Sequence, residues 1–227
     1  MYVGRATAAR LRDRNLRTIG DVARCDPAEL RSALGKSGEM LWTFANGLDD
    51  SPVTPIDASA AVKSVGNSAT PPRDIADDAD AHALLMALSE SVAERLRDQG
   101  LRGRVVSLSV RDCALHTFSA QRKLPQSTAL SAEICECAMA LFRQRYRWQR
   151  PVRSLGVSVS ELEGTDGDVQ LSLFSDGARD RRYELERTVG EIRHRFGRSA
   201  LQRASLIAKR PFGEAILRES LTGGRSE

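Results

Sequence analysis

Arg143, Arg145, Arg147, Arg150 and Arg153 fall within eleven residues that hold no acid. A second basic stretch carries Arg102, Arg104, Arg111, Arg122 and Lys123 against the single acid Asp112. Guanidinium and ammonium groups at this density suit contact with a phosphate backbone. A merely solvated basic face is the bland alternative. A third candidate lies at the start of the chain. Val3-Gly4-Arg5-Ala6-Thr7 sets a glycine turn before a helix, and the free N–H groups of a helix start can hold a phosphate. Metal and redox chemistry find less support. Cys25, Cys113, Cys135 and Cys137 make no C-x-x-C pair, and no histidine stands at zinc spacing from them. Cys135 and Cys137 are two apart in a helical pattern and so point apart. His82, His116 and His194 are scattered and read as ordinary helix or strand residues.

These groups need a scaffold, and composition allows one. The chain has 227 residues, 41% of them hydrophobic and 28% charged, with a formal charge of +4. That suits a folded chain with room for two domains. The mild basic excess permits nucleic-acid binding without requiring it. No apolar run approaches the ~18 residues of a membrane helix, and Met1-Tyr2-Val3-Gly4-Arg5 lacks the apolar core of a secretory signal. The expected compartment is the cytoplasm, with no disulfide framework.

Residues 49–57, with Pro52 and Pro55 and no helical period, read as a linker, and Glu163 to Asp168 form a second break. The first segment is helical. Ala6 to Arg14 is one helix, and Thr18-Ile19-Gly20-Asp21 starts another. Asp26-Pro27-Ala28-Glu29 carries a cap, a proline at the first position and a glutamate three residues on. Gly35-Lys36-Ser37-Gly38 is expected to break that helix, with a last one over Glu39 to Asn46. The middle segment alternates. Strand character marks Val62 to Thr70. A helical stripe follows through Leu85, Leu88, Val92 and Leu96, closed by Gly100. Val106, Leu108 and Val110 alternate with Ser107, Ser109 and Arg111. Thr117 to Leu124 is a further strand, Ser131 to Arg147 a helix, and Val152 to Glu161 a last strand. The order β-α-β-β-α-β is a split βαβ arrangement, one antiparallel sheet with both helices on one face. The open face then carries Ser107, Ser109 and Arg111 on one strand and Ser154, Gly156, Ser158 and Ser160 on another. One strand is ambiguous: alternation groups Arg122 with Phe118, Ala120 and Leu124, so it faces DNA only if a bulge intervenes. In the last segment Leu185, Val189, Ile192 and Phe196 define an amphipathic helix.

Several of these motifs, in this order and spacing, resemble the C-terminal portion of Y-family translesion DNA polymerases, nearest their bacterial DNA polymerase IV branch. Val3 to Leu11 and Leu16 to Val22 look like the family's thumb with its helix-hairpin-helix. Leu34-Gly35, Gly38, Leu41-Trp42 and Ala45 to Val53 match the thumb's end. Lys63-Ser64-Val65-Gly66-Asn67 matches the opening strand of the little finger domain, and Arg122-Lys123-Leu124-Pro125 its basic strand. Gln170-Leu171-Ser172-Leu173-Phe174 resembles the bacterial sliding-clamp-binding pentapeptide, in which apolar side chains enter clamp pockets and glutamine adds polar recognition.

The resemblance implies an α+β fold. Its parts are a helical helix-hairpin-helix thumb over 1–53, a linker over 54–61 and a little finger over 62–163. A clamp-binding segment over 164–178 and a helical tail over 179–227 with a partly disordered end follow. It implies an error-prone polymerase that grips primer–template DNA and binds the sliding clamp, as a monomer without membrane contact. Gly4, Arg5, Ala6, Thr7, Lys63, Ser64, Gly66, Asn67, Arg122 and Lys123 carry its phosphate contacts, and alternation adds Arg104, Ser107, Ser109 and Arg111. Nucleotidyl transfer needs two metal ions held by carboxylates. The family keeps these in a palm domain that includes an Asp-Glu pair, and this sequence contains no Asp-Glu dipeptide. The chain alone is therefore expected to hold no cofactor and to be inactive, with Mg²⁺ belonging to a palm outside it. Two rivals remain: a non-catalytic relative acting as a clamp-tethered hub, and a free-standing helix-hairpin-helix module.

Overall fold

The computed structural model describes residues 3–53, 55, 61–165 and 177–208. The chain divides into two compact units, 1–60 and 61–227.

The first unit is four short helices, α1 (Arg5–Arg12), α2 (Ile19–Arg24), α3 (Pro27–Leu34) and α4 (Lys36–Ala45). Local chemistry sets each start. Thr18 Oγ1 accepts from the Asp21 N–H at 3.1 Å while the Asp21 carboxylate accepts from the Thr18 N–H at 2.9 Å, a complete capping box for α2. Asp26 caps α3 by accepting from the Ala28 N–H at 2.8 Å, with Pro27 beside it. Gly35, at φ +65°, makes the turn between α3 and α4. Gly38, expected to extend that break, is inside α4. A Cβ there would collide with the Leu30 carbonyl, so this glycine lets α3 and α4 cross closely rather than ending a helix. Leu11, Val22, Leu30 and Leu41 form the small core, with Leu16, Leu34 and Trp42 packed against it.

The second unit is a four-stranded antiparallel sheet of order β1-β4-β2-β3. Its strands are β1 (Ser64–Ala69), β2 (Leu101–Asp112), β3 (Thr117–Thr128) and β4 (Val152–Gly164). The helices α5 (Asp78–Asp98) and α6 (Ser131–Arg145) cover one face, completing the β-α-β-β-α-β order. The register sets Val106 against Val159, Leu108 against Val157 and Val110 against Leu155. These side chains lie under α5 and α6 with Leu84, Leu88, Ile134 and Phe142 in one continuous core. Burial of that apolar surface is the main stabilising contribution. Burial also pushes the Cys135 thiol up to about 12, so it is part of the core and not a nucleophile.

The last described elements are α7 (Gly177–Phe196) and α8 (Ala204–Ala208). The stripe Leu185, Val189, Ile192 and Phe196 lies on a helix, as expected, but no residue of α7 is buried, and Leu185 is 63% and Phe196 65% exposed, while Tyr183 packs against the core. Ionic contacts hold α7 to α5 and α6. Glu186 accepts from Arg97 Nη1 at 2.7 Å and from Ser131 Oγ at 2.6 Å. Arg193 pairs with Glu90 at 3.1 Å, and Arg179 grips both carboxylate oxygens of Glu133 at 2.8 and 3.0 Å. Arg198 and Arg203, beyond α7, pair with Glu94 and Glu90. Among the described residues no helix is long and apolar enough to cross a membrane.

Candidate nucleic-acid interface

Period-two alternation places one side chain in two of each strand on the face away from the helices. Antiparallel pairing then aligns these residues in rows across the sheet. One row reads Gly66, Ser158, Ser107, Gln121, and the next Ser68, Gly156, Ser109, Ser119. Ser64, Ser160, Val105 and Lys123 form the row at one end, and Ser154, Arg111 and Thr117 the row at the other. The middle of this face holds no side chain larger than serine except Gln121 at its edge. Two glycines keep it low. A Cβ on Gly66 would meet the Ser158 Cβ at 2.7 Å, and one on Gly156 would meet the Ser68 Cβ at 3.1 Å. Ser68, Ser119 and Gln121 join the expected residues: alternation within each strand puts them on this face, and the strand register decides which residues share their rows.

The expected site residues separate into two groups. Lys63, Ser64, Gly66, Ser107, Ser109, Arg111 and Lys123 lie on the open face or at its margin. Arg111 and Lys63 are exposed, and neither has an ion-pair partner among the described residues. Lys123 pairs with Glu161 at 2.6 Å on the surface. Arg122, Asn67 and Arg104 are engaged elsewhere. Arg122 stands opposite Val106, in the same alternation as Phe118 and Ala120, and no bulge intervenes between Thr117 and Lys123. It therefore belongs to the helix-covered side, where its Nη2 donates to Gln144 Oε1 at 3.2 Å. Asn67 also turns inward, donating to Ser91 Oγ at 3.1 Å. Arg104 mends an irregularity: between the pairs Val105–Lys123 and Gly103–Thr128, residues 124–127 of β3 face Arg104 alone. Its guanidinium donates to the carbonyls of Leu124 and Pro125 at 3.1 and 2.7 Å.

The run 143–153 is less free than its composition suggests. Acids distant in sequence pair with three of its five arginines: Arg143 with Asp78 at 2.8 Å, Arg150 with Asp112 at 3.3 Å and Arg153 with Asp74 at 3.1 Å. The Arg143 and Trp148 hydrogen bonds hold Asp78 below its ordinary value. Partial burial pushes Asp112 up, but the His116 N–H, the His116 ring and Arg150 bring it below the ordinary value. Arg145 and Arg147 have no acidic partner among the described residues.

In the first unit, Gly4 caps α1 with extended backbone and no side-chain hydrogen bond. A Cβ on Gly4 would meet nothing within 4 Å, so the approach to the first N–H groups is open. Arg5 and Ala6 are exposed and Thr7 half-buried at this start. Gln170, Leu171, Ser172, Leu173 and Phe174 lie outside the described residues.

Two family models match the chain. Residues 2–49 match the thumb domain of DNA polymerase iota, and residues 62–173 match the C-terminal domain of the impB/mucB/samB family. Among curated relatives, the DNA polymerase IV of Acetivibrio thermocellus is 41% identical over 211 residues, which is 92% of this chain and 53% of that protein. The DNA polymerase IV 2 of Halalkalibacterium halodurans is 36% identical over 89% of this chain and 49% of that protein. The DNA polymerase IV 2 of Bacillus subtilis is 33% identical over 98% of this chain and 53% of that protein. The chain spans about half the length of the curated relatives it matches.

Proposed function

The chain belongs to the Y family of DNA polymerases, as the thumb and C-terminal domain of a DNA polymerase IV-like protein, and from that premise we propose that it grips primer–template DNA by the backbone. The observation that carries this reading is the open sheet face. Its middle rows are glycine, serine and glutamine, low enough for a phosphate backbone to approach and able to donate hydrogen bonds. Arg111 at one end and Lys63 at the other supply positive charge that no acid pairs among the described residues. In the first unit the open start of α1, with Arg5, offers backbone N–H donors to a second stretch of phosphates. None of these groups distinguishes one base from another, as a polymerase that moves along its template requires.

Nucleotide transfer and the magnesium it uses belong, in this reading, to a palm outside the chain. Among the described residues no group of three His, Cys, Asp or Glu side chains could hold a metal, and no step of the grip needs one. Gln170 to Phe174 serve, in the same reading, as the sliding-clamp tether. That part rests on sequence resemblance and is tested separately. Replacing Leu173 and Phe174 by Ala abolishes clamp capture in a pull-down and leaves DNA affinity unchanged; clamp capture by that variant would overturn the tether.

The grip is tested by fluorescence anisotropy with labelled primer–template DNA at increasing salt. Affinity falls steeply with salt and changes little when the duplex sequence is scrambled. A strong preference for one sequence, or binding indifferent to salt, would overturn the reading.

A further inference from the structure

The Trp148 indole is exposed enough to receive a ligand and anchored enough to wait for one. It lies between the end of α6 and the start of β4, and 39% of its surface is open. Its Nε1 donates to Asp78 Oδ1 at 2.8 Å. Phe142 and Tyr146 meet its ring edge-on, each with centroids 5.4 Å away. Three contacts from two elements thus fix the indole before any partner arrives. A ring already held in place loses little conformational entropy when something stacks on it.

Its surroundings define the partner's charge. Arg143, Arg150 and Arg153 are neutralised by Asp78, Asp112 and Asp74. Arg145 and Arg147 lie just before Trp148 in sequence, are exposed, and have no acidic partner among the described residues. Arg111, on the open face and without an ion-pair partner among the described residues, lies at this same end of the sheet, in the row with Ser154 and Thr117, while the indole packs on the helix-covered side of that end. Asp77, next to Asp78 in sequence, is occupied in capping α5, where its carboxylate accepts from the Asp80 N–H at 2.7 Å. An anchored aromatic ring beside free arginines is the chemistry that holds unpaired nucleic-acid bases. Stacking takes the base and the cations take its phosphates. A duplex hides its base faces, so it gains nothing from the indole.

We propose that Trp148, Arg145 and Arg147 form a stacking platform for single-stranded DNA where the strand leaves the duplex at the Arg111 end of the open face. This deepens the proposed DNA grip and rests on it for the path of the strand.

The sequence supplies its own probe, because Trp42 is the other of only two tryptophans. In the full chain carrying Trp42→Phe, emission reports Trp148 alone. Titration with single-stranded oligo-dT is expected to quench it strongly, whereas blunt duplex binds with little quenching. Trp148→Ala lowers oligo-dT affinity at least fivefold and changes blunt-duplex affinity less than twofold. Trp148→Phe keeps a ring in place and retains most oligo-dT affinity, which separates stacking from a folding defect. Arg145→Ala with Arg147→Ala, both on the surface, reduces the salt dependence of oligo-dT binding. Unchanged Trp148 emission with oligo-dT bound, or full affinity in Trp148→Ala, would overturn the platform. Duplex bound without oligo-dT overturns the platform alone; neither bound overturns the grip as well.

Discussion

On the helix-covered side of the second unit, Arg97, Arg179, Arg193, Arg198 and Arg203 each meet a carboxylate, and the Arg97–Glu186 and Arg193–Glu90 pairs are largely shielded from water. On the open side of the sheet, Arg111 and Lys63 meet none among the described residues. The same residue types therefore do opposite work within one unit. Where arginine is paired and shielded it fixes a helix, and where it stands free over a floor of serine and glycine it is available to phosphate. The run 143–153 divides along the same line, with three arginines paired and two without an acidic partner among the described residues. In the proposed grip it is unpaired charge, and not the number of arginines, that marks the surface open to phosphate.

The largest expected break comes on the shielded side. Glu186→Ala removes the acceptor of Arg97 and of both the Ser131 N–H and hydroxyl. It leaves a guanidinium whose side chain is only 12% exposed without its acid. Losing one member of a buried pair costs about 3 kcal/mol. Urea unfolding should show that loss, and limited proteolysis should cut α7 faster, while DNA affinity stays unchanged. A loss below about 0.5 kcal/mol would mean that the pairs behave as surface contacts and that α7 is held by something else.

The open side should respond the other way. Arg111→Ala removes a free charge and no packing, so stability stays within about 0.5 kcal/mol. Affinity for primer–template DNA falls about fivefold, and the salt slope of log affinity drops by about 0.9. Arg143→Ala sharpens the contrast inside the arginine run. Its partner Asp78 is half-exposed and screened, so stability changes by less than about 1 kcal/mol, and primer–template affinity does not change measurably. A larger DNA defect in Arg143→Ala than in Arg111→Ala would invert the comparison.

The alternation and the caps made the β-α-β-β-α-β order readable, because both act within a few residues. Asp26-Pro27, the serine–valine alternation of β2 and Gly100 each state their element locally. What sequence could not state is pairing at a distance. Arg122 could face DNA only through a bulge, and whether one exists is a matter of register, which sets it opposite Val106 without one. Arg104 looks free until the extra residues of β3 bring two carbonyls to it. Asp74, Asp78 and Asp112 are dozens of residues from the arginines they neutralise. The stripe on α7 has a similar limit: periodicity gives the amphipathic helix but not which contacts hold it. Gly38 shows the same limit, since a glycine required by a crossing helix reads locally as a break.

The first unit offers the smallest and most local effect, and a control for the others. The Asp21 carboxylate accepts from the Thr18 and Arg17 N–H groups and lies near Arg24, and the Thr18 N–H bond leads the causes that hold it below its ordinary value of 3.8. A carboxyl group depressed by folding stabilises the folded state above its unfolded value and loses that contribution as pH falls through the folded one. The capping box should therefore be intact from neutrality down to about pH 4 and weaken below it. Asp21→Asn removes the titration and with it the part of the acid-induced loss that belongs to α2, so its melting temperature falls less than the wild type's between pH 5 and pH 3. Identical acid profiles for Asp21→Asn and the wild type would mean that the cap does not titrate and that acid sensitivity originates elsewhere.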